Sequence, residues 1–368
     1  MSWRRQGVSL QMQTQPADTK QLFDYVNFVT ENIRNAENIY KDFLRWSGLF
    51  INDQGDGKKF SIANQLLIYG FDNRSRLVRE ESEWKSMGVS VTRPDRAINV
   101  LKKRGSGYEK RVLYDISATN AEPLKMINGR DWGSKCEALI TAAPCKIEFD
   151  PFTSNQRTNY IQREDVIKAG RGFQSFENIF ASISQEIAHY YISKEMEARH
   201  DRKFEELQKK ANECSNEKDV YYKIIEGKYY ELSPGEPIRK DSNGRLYKLE
   251  TDENGQLYKV HVEKRQKEVK PAEIRKPVFS YSKAAYQYMA YAVSCCVSVS
   301  AGLDPGIYRF SNDKWKEKSL QSIRDDLDII SNAGREILFN YHDRLINQNN
   351  AVYMDASENS SVHESEVG

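Results

Sequence analysis

The stretch SISQEIAHYY, residues 182–191, holds the residues whose types and spacing come nearest to a catalytic site. Glu186 and His189 stand three positions apart, and Gln185 immediately precedes the glutamate. Zinc peptidases with an HExxH helix place histidine ligands at the first and last of these positions and use the glutamate as general base. Here the first ligand is replaced by an amide, a poor zinc ligand. The motif therefore predicts a peptidase-like helix that has lost metal binding.

A third ligand is also missing from the place where such peptidases supply it. The later helix predicted over residues 284–303 contains no Asp, Glu or His. We therefore expect no metal and no other cofactor. Two alternatives stay open: Glu186 and His189 form an ordinary polar pair on a half-buried helix, or zinc is held by an atypical set that recruits His200, Glu205 or Glu206 and the chain is an active zinc peptidase.

A second cluster could bind phosphate. Between residues 102 and 111 a single acid, Glu109, stands among five basic residues: Lys102, Lys103, Arg104, Lys110 and Arg111. Tyr108 lies beside two glycines at the centre of this segment, and further positive charge is predicted at Arg74, Arg76, Arg79, Arg93 and Arg96. Basic side chains engage nucleic-acid phosphates, and an exposed ring can stack on a base. The alternative is a charged hairpin that only faces water.

The elements that must position these residues follow from the spacing of apolar residues. Three- and four-residue steps predict amphipathic helices, and alternation around RGSG predicts strands joined by a hairpin. The predicted elements are a helix over Thr19–Phe50, a helix over 61–71, strands between 89 and 116, a helix from Ser175 to about 213, an Asn-Gly β-ribbon within 220–265, an uncharged buried helix over 284–303, and a final amphipathic helix or pair.

Composition limits the class of protein. The 368 residues carry 29% charged and 39% hydrophobic residues with a formal net charge of +2, and no apolar run reaches the ~20 residues of a membrane span. No secretory signal is recognised at the N-terminus, and the five cysteines lack CxxC spacing. We therefore expect a cytoplasmic protein with reduced thiols and no membrane partner.

Residues 60–103 resemble the N-terminal domain of ArdC-type antirestriction proteins and their LtrC-like relatives on mobile elements. An Asn-Gln-Leu-Leu helix, a tryptophan, a Gly-x-x-Val segment, a basic turn and an Ile/Val strand occur in the family's order. These positions are Asn64, Gln65, Leu66, Leu67, Trp84, Gly88, Val91, Arg93, Arg96, Ile98 and Val100. The following YDIS, residues 114–117, resembles the family's next strand, and AGLDPGIYRF, residues 301–310, resembles a later turn.

The resemblance implies an α+β fold in which an ArdC-like domain that binds single-stranded DNA precedes a mostly helical zincin-like domain with a β-ribbon insertion. The expected order is a flexible arm (1–20), the ArdC-like domain (21–150), the zincin-like domain (151–345) with its insertion at about 195–275, and an acidic disordered tail (346–368).

The same resemblance implies a single-stranded DNA-binding protein of a bacterial mobile element, active in antirestriction or strand protection during conjugative transfer. The expected DNA contacts are Arg93, Arg96, Lys102, Lys103, Arg104, Tyr108, Lys110 and Arg111. Its peptidase-like motif, Gln185, Glu186 and His189, is expected to be inactive. A host or element-encoded protein partner is a further expectation, and a protein-interaction module without DNA binding remains an alternative.

Overall fold

The structure is a computed structural model. It describes residues 16, 18–54, 59–124, 131–150, 158–170, 172, 175–213, 218–233, 235–267, 276–311 and 313–364. Most of the predicted flexible arm, residues 1–15 and 17, lies outside this part of the chain. The chain divides into two compact units: Met1–Glu195 with Tyr281–Gly368, and Met196–Ser280. The predicted boundary between two domains near residue 150 stays a prediction.

The first unit is mainly helical. Its helices are α1 (Thr19–Asn35), α2 (Glu37–Asp53), α3 (Ile62–Phe71), α4 (Glu81–Ser86), α5 (Trp132–Thr141), the first half of α6 (Phe176–Glu213), α7 (Lys283–Ser300) and α8 (Leu320–Glu364). The single helix predicted over Thr19–Phe50 is in fact α1 and α2, separated by Ala36 in an extended conformation. Because alanine is the best helix former, packing must impose this break, and local propensity could not predict it.

A three-stranded antiparallel sheet carries the predicted hairpin. Its strands are β1 (Val78–Arg79), β2 (Ile98–Arg104) and β3 (Gly107–Asp115), in the order β1-β3-β2. Gly105 takes a positive φ of 56° at the tip, a conformation that glycine adopts without a steric penalty. The hairpin prediction is confirmed, whereas the strand predicted at 89–91 is only a one-residue bridge from Val91 to Thr119.

A second small sheet was not predicted. It contains β4 (Lys146–Phe149), β5 (Thr158–Ile161) and β6 (Val166–Ala169), with β6 in the centre, parallel to β4 and antiparallel to β5. Each strand has four residues, too few for a clear alternation of apolar and polar positions. The sheet matters for function because β5 contacts the α6 motif.

Helix α7 is the centre of the first unit, as its uncharged sequence predicts. Met289, Ala290 and residues 292–299 are buried, and the helix packs against α2 and α8. The approach of α2 is close, since a Cβ added at Gly48 would lie 2.2 Å from the carbonyl oxygen of Cys296. Cys295 and Cys296 are free thiols inside this core.

Helix α8 continues to Glu364, through residues that composition predicts to be a disordered acidic tail. This segment holds Ala351, Met354 and Ala356 and no Gly or Pro before Gly368, so it lacks helix breakers despite its polarity. No helix in the described part of the chain is both long and apolar enough to span a bilayer.

The second unit is an antiparallel sheet that follows the charged half of α6. Its strands are β7 (Lys218–Ile225), β8 (Lys228–Glu231), β9 (Arg239–Lys240), β10 (Leu246–Thr251) and β11 (Leu257–Lys267), in the order β8-β7-β11-β10-β9. Gly244 and Gly255, the glycines of the two predicted Asn-Gly turns, have φ values of 77° and 81°. The Asn-Gly signals therefore locate turns correctly, but the ribbon is a five-stranded sheet.

Candidate functional site

The β2–β3 hairpin separates its basic residues onto two faces. Lys103 pairs with Tyr108 and Leu101 with Lys110, while Lys102 pairs with Glu109 and Val100 with Arg111. Directly paired residues on antiparallel strands point to the same side, and neighbours along a strand point to opposite sides. One face therefore carries Lys103, Tyr108 and Lys110. We call these three residues the acid-free face, and the side with Lys102, Arg104, Glu109 and Arg111 the paired face.

Carboxylates contact every basic residue of the paired face. Glu109 lies 2.9 Å from Arg104 and 3.9 Å from Lys102. Arg111 contacts Glu80 and lies 3.8 Å from Glu83, and its partial burial lowers the pKa of the guanidinium. Three of the five basic residues predicted at the hairpin thus already have acidic partners.

The acid-free face combines exposed cations with an exposed ring. Lys103 and Lys110 are exposed, and neither forms an ion pair with the residues that the structure describes. Tyr108 is 51% exposed, and its ring meets that of Phe23 edge to face at 5.3 Å between centroids. Phe23 of α1 is itself 39% exposed. Its spacing in the sequence fits the apolar positions of an amphipathic helix, so periodicity alone does not predict that Phe23 lies at the surface.

The other predicted arginines have different positions. Arg93 is exposed and Arg96 half-buried, in the turn before β2. Arg74 pairs with Asp72 and Arg76 with Asp53. Arg79 is buried and donates to the side chain and carbonyl of Gln54. The prediction that Arg79 extends a positive surface is therefore wrong, because Arg79 is buried. The same prediction is weakened for Arg74 and Arg76, because each forms an ion pair with a nearby aspartate.

Three side chains of the family-like segment fix the hairpin in place. Asn64 of α3 donates to the Leu101 carbonyl at 2.8 Å and accepts from the Leu101 amide at 2.9 Å. Gln65 donates to Phe60 O and Ser331 Oγ, which joins α3 to α8. Trp84 is buried and donates through Nε1 to the Tyr114 carbonyl at 2.9 Å. Asn64 and Trp84 thus hold the hairpin directly and Gln65 holds α3 against α8, and none of the three presents a binding surface.

Glu186 of the α6 motif is buried and already has a cation. Its Oε2 accepts from the Tyr160 amide of β5 at 2.7 Å and from Lys283 Nζ at 2.5 Å. Lys283 also donates to Asn159 Oδ1 at 2.7 Å. Burial raises the pKa of the Glu186 carboxyl, and the hydrogen bond and charge of Lys283 oppose that rise. An ammonium group thus neutralises the carboxylate that an active peptidase would use as a base.

His189 is buried with both ring nitrogens occupied. Nδ1 lies 2.7 Å from the Tyr281 hydroxyl, and Nε2 lies 3.0 Å from Gln287 Oε1. With the amide oxygen as acceptor, Nε2 carries the proton and Nδ1 accepts from the tyrosine. Burial lowers the pKa of His189 to about 4, so the ring is neutral at pH 7.

These side chains do not fit a metal ion. Gln185 is half-buried and contributes an amide, the His189 lone pair is engaged, and an ammonium group lies on Glu186. In the described residues no group of three or more His, Cys, Asp or Glu side chains could hold a metal. His200, one of the three residues that the alternative ligand set could recruit, lies 3.4 Å from Asp201.

Comparison with known proteins gives one solved structure of interest. No family model and no curated protein matches the chain. The crystal structure of the antirestriction ArdC protein from the R388 plasmid, in its Mn(II)-bound form, aligns over 88% of this chain and 98% of its own, with 15% identity and a TM-score of 0.41.

Proposed function

We propose that this protein binds single-stranded DNA through the acid-free face of its β2–β3 hairpin. The observation that carries the proposal is Tyr108, an exposed ring between two exposed lysines that no described carboxylate neutralises. Lysines at this position can replace the counterions of a phosphate backbone, and an exposed ring can stack on an unpaired base. Antirestriction or strand protection during conjugative transfer is the setting that we propose from the sequence resemblance.

The geometry favours single strands over duplexes. A tyrosine ring stacks only on a base whose face is free, and the bases of a duplex are already stacked on one another. Phe23 contacts the Tyr108 ring edge to face, which limits the rotamers that the tyrosine can adopt before DNA binds. Less ordering is then needed on binding, which favours affinity.

We further propose that the α6 motif is a structural joint without peptidase activity. The support is the Lys283 ammonium on Glu186 and the engaged nitrogens of His189. Dialysis against a zinc-containing buffer followed by elemental analysis, together with a peptide-hydrolysis assay, tests this proposal. We expect far less than one zinc per chain and no peptide hydrolysis; stoichiometric zinc with hydrolysis would establish the active peptidase instead.

The hairpin itself supplies a matched pair of variants for the DNA experiment. K103S/K110S removes two positive charges from the acid-free face, and K102S/R104S removes two from the paired face of the same hairpin. Fluorescence anisotropy with a labelled 20-nucleotide single strand and its duplex, at two salt concentrations, measures both. We expect K103S/K110S to weaken single-strand binding and to reduce the salt slope by about 1.4, since each phosphate contact contributes about 0.7. K102S/R104S should change the affinity far less.

The ring is tested separately. Stacking on an aromatic side chain contributes about 1 to 3 kcal/mol per base, so Y108A should weaken binding roughly 5- to 150-fold without changing the salt slope. Equal losses of affinity in K103S/K110S and K102S/R104S would mean that net charge alone drives binding. If the wild-type protein did not bind single-stranded DNA, the proposal would be overturned and a protein-interaction module would be favoured.

A further inference from the structure

The sheet of the second unit has a row of side chains that crosses all five strands. His261 of β11 pairs with Ile224 of β7 on one side and with Tyr247 of β10 on the other. Ile224 pairs in turn with Tyr229 of β8, and Tyr247 with Arg239 of β9. Residues paired in this way lie on one face of a sheet. We call Tyr229, Ile224, His261, Tyr247 and Arg239 the cross-strand row.

The face with the cross-strand row is the open face of the sheet. Val260 and Val262, which point to the opposite side, are 5% and 2% exposed. In the row, Tyr229 is 46% exposed, His261 and Arg239 are also exposed, and Ile224 and Tyr247 are half-buried. A sheet normally buries one face against its core and leaves the other to solvent. Here the solvent side carries two tyrosines and an imidazole, which is unusual for a face that only contacts water.

Cations lie over the tyrosine rings on this face. Lys259 Nζ is 4.6 Å from the centre of the Tyr247 ring, and the Arg265 guanidinium is 3.9 Å from the centre of Tyr229. Carboxylates lie beside the row: Glu231, and Glu263, which pairs with Arg265 at 3.1 Å and also interacts with Tyr229 and His261. The charge of Lys259 contributes to the lowered pKa of Asp241. The row itself contains no carboxylate, and neither Lys259 nor Arg239 forms an ion pair within the described chain.

We propose that the cross-strand row is a second binding surface, for single-stranded nucleic acid. Its rings provide stacking positions for bases at Tyr229, His261 and Tyr247, and Arg239 at the β9 end of the row and Lys259 beside it can contact phosphates. Five strands about 4.8 Å apart span roughly 19 Å, the length of about three extended nucleotides. This site is separate from the hairpin and does not depend on the proposal made for it.

The opposite face offers a matched control. Tyr230 and Tyr258 are each 46% exposed, as Tyr229 is, but they point to the side of Val260. Y229S/Y247S removes two rings from the row, and Y230S/Y258S removes two rings from the other face. The full-length variants are titrated with labelled single-stranded DNA and RNA, alone and combined with K103S/K110S. Far-UV circular dichroism and thermal unfolding check that the sheet is intact.

We expect Y229S/Y247S to weaken binding at least fivefold in both backgrounds, and Y230S/Y258S to leave it unchanged. If Y229S/Y247S disrupts the sheet, R239S/K259S tests the same surface while keeping its rings, and a loss of affinity is again expected. Full affinity in a folded row variant would overturn the proposal. Equal losses of affinity in Y229S/Y247S and Y230S/Y258S would also overturn it. So would a protein that binds an acidic peptide through the row but does not bind nucleic acid. If Y229S/Y247S weakened nucleic-acid binding and K103S/K110S did not, the hairpin proposal would be wrong and the proposal for the cross-strand row would stand.

Discussion

Lys283 determines what the degenerate motif can do. Glu186 is 2% exposed and holds one strong cationic contact, while the Lys283 side chain remains 32% exposed. Removal of one partner leaves a buried charge uncompensated, which costs more than the intact pair contributes. We expect K283M to lower the free energy of unfolding by about 2 kcal/mol, a value reduced from the range for fully buried pairs because the lysine is partly solvated. Urea unfolding measures it.

The double variant K283M/E186Q is the control for this prediction. A neutral amide at 186 can still accept the Tyr160 hydrogen bond and needs no cation, so the double variant should regain most of the loss. If the double variant were as unstable as K283M, packing of the lysine stem would explain the effect, and the ion pair would not.

His342 should make stability depend on pH. It borders a cavity of about 420 Å³ between α2, α3 and α8, whose charged lining is Lys59, Arg335, Glu336 and Asp343. Its Nε2 is buried without a hydrogen-bond partner in the described chain, and burial lowers its pKa from 6.5 to about 4. The unfolded chain therefore binds the proton more tightly, so stability is complete above pH 6.5 and falls as the pH drops toward 4.

Between pH 7 and pH 5 this histidine should cost about 2 kcal/mol of unfolding free energy, and His189, with its pKa also lowered to about 4, should contribute a similar amount. Urea unfolding measures the free energy of unfolding of H342Q at both pH values. Its decrease between pH 7 and pH 5 should be about 2 kcal/mol smaller than that of the wild type. The exposed His261, changed to Gln, serves as the comparison. An unchanged pH dependence in H342Q would mean that the folded protein accommodates the protonated ring.

Sequence reasoning found the motif residues but not their partners. Glu186 and His189 could be named from their spacing, and so could the loss of the first ligand at Gln185. Lys283 and Tyr281 lie more than 90 positions away along the chain, and no local pattern indicates that they would meet the α6 helix. Phe23 was missed for a related reason: its spacing fits the apolar stripe of α1, and only packing decides which members of a stripe are covered.

Among elements, the hairpin was the easiest to predict and the β4–β6–β5 sheet the hardest. The hairpin has a glycine turn and alternating strands within one short segment, so its signal is local. Which of its charges are free could not be predicted, because Glu80 and Glu83 reach Arg111 from α4. The parallel pairing of β4 with β6 depends on contacts across the intervening chain, which residue alternation does not encode.

The junction between α3 and β2 should be sensitive to a single amide. β2 is an edge strand of its sheet, and Asn64 satisfies both backbone groups of Leu101 on its outer side. N64A leaves a partly buried donor and acceptor unpaired, so we expect a loss of about 2 kcal/mol in unfolding free energy. N64D keeps the acceptor but sets a carboxylate against the Leu101 carbonyl, and should not rescue stability. Wild-type stability in N64A would show that water replaces the amide.

At the scale of the whole molecule, the α6 motif lies where the chain leaves the first unit and returns to it. The second unit begins at Met196, seven residues after His189, and ends at Ser280, immediately before Tyr281. The His189–Tyr281 and Glu186–Lys283 contacts therefore join the outgoing and returning segments. The side chains of the α6 motif thus lie at the base of the insertion, where they form hydrogen bonds with the returning segment.

This arrangement predicts that the second unit can be removed. The helical rise from His189 to Glu195 is about 9 Å, and the His189–Tyr281 contact separates the two backbones by about 10 Å more, so a Gly-Ser linker of ten residues, which spans up to about 33 Å, can replace residues 196–280. We expect the shortened chain to unfold cooperatively and to keep hairpin-dependent binding of single-stranded DNA, while the contribution of the cross-strand row is lost. K283M should destabilise the shortened chain as it does the full one, because Glu186 and Lys283 both belong to the first unit. A shortened chain that fails to unfold cooperatively would mean that the first unit needs the insertion in order to fold.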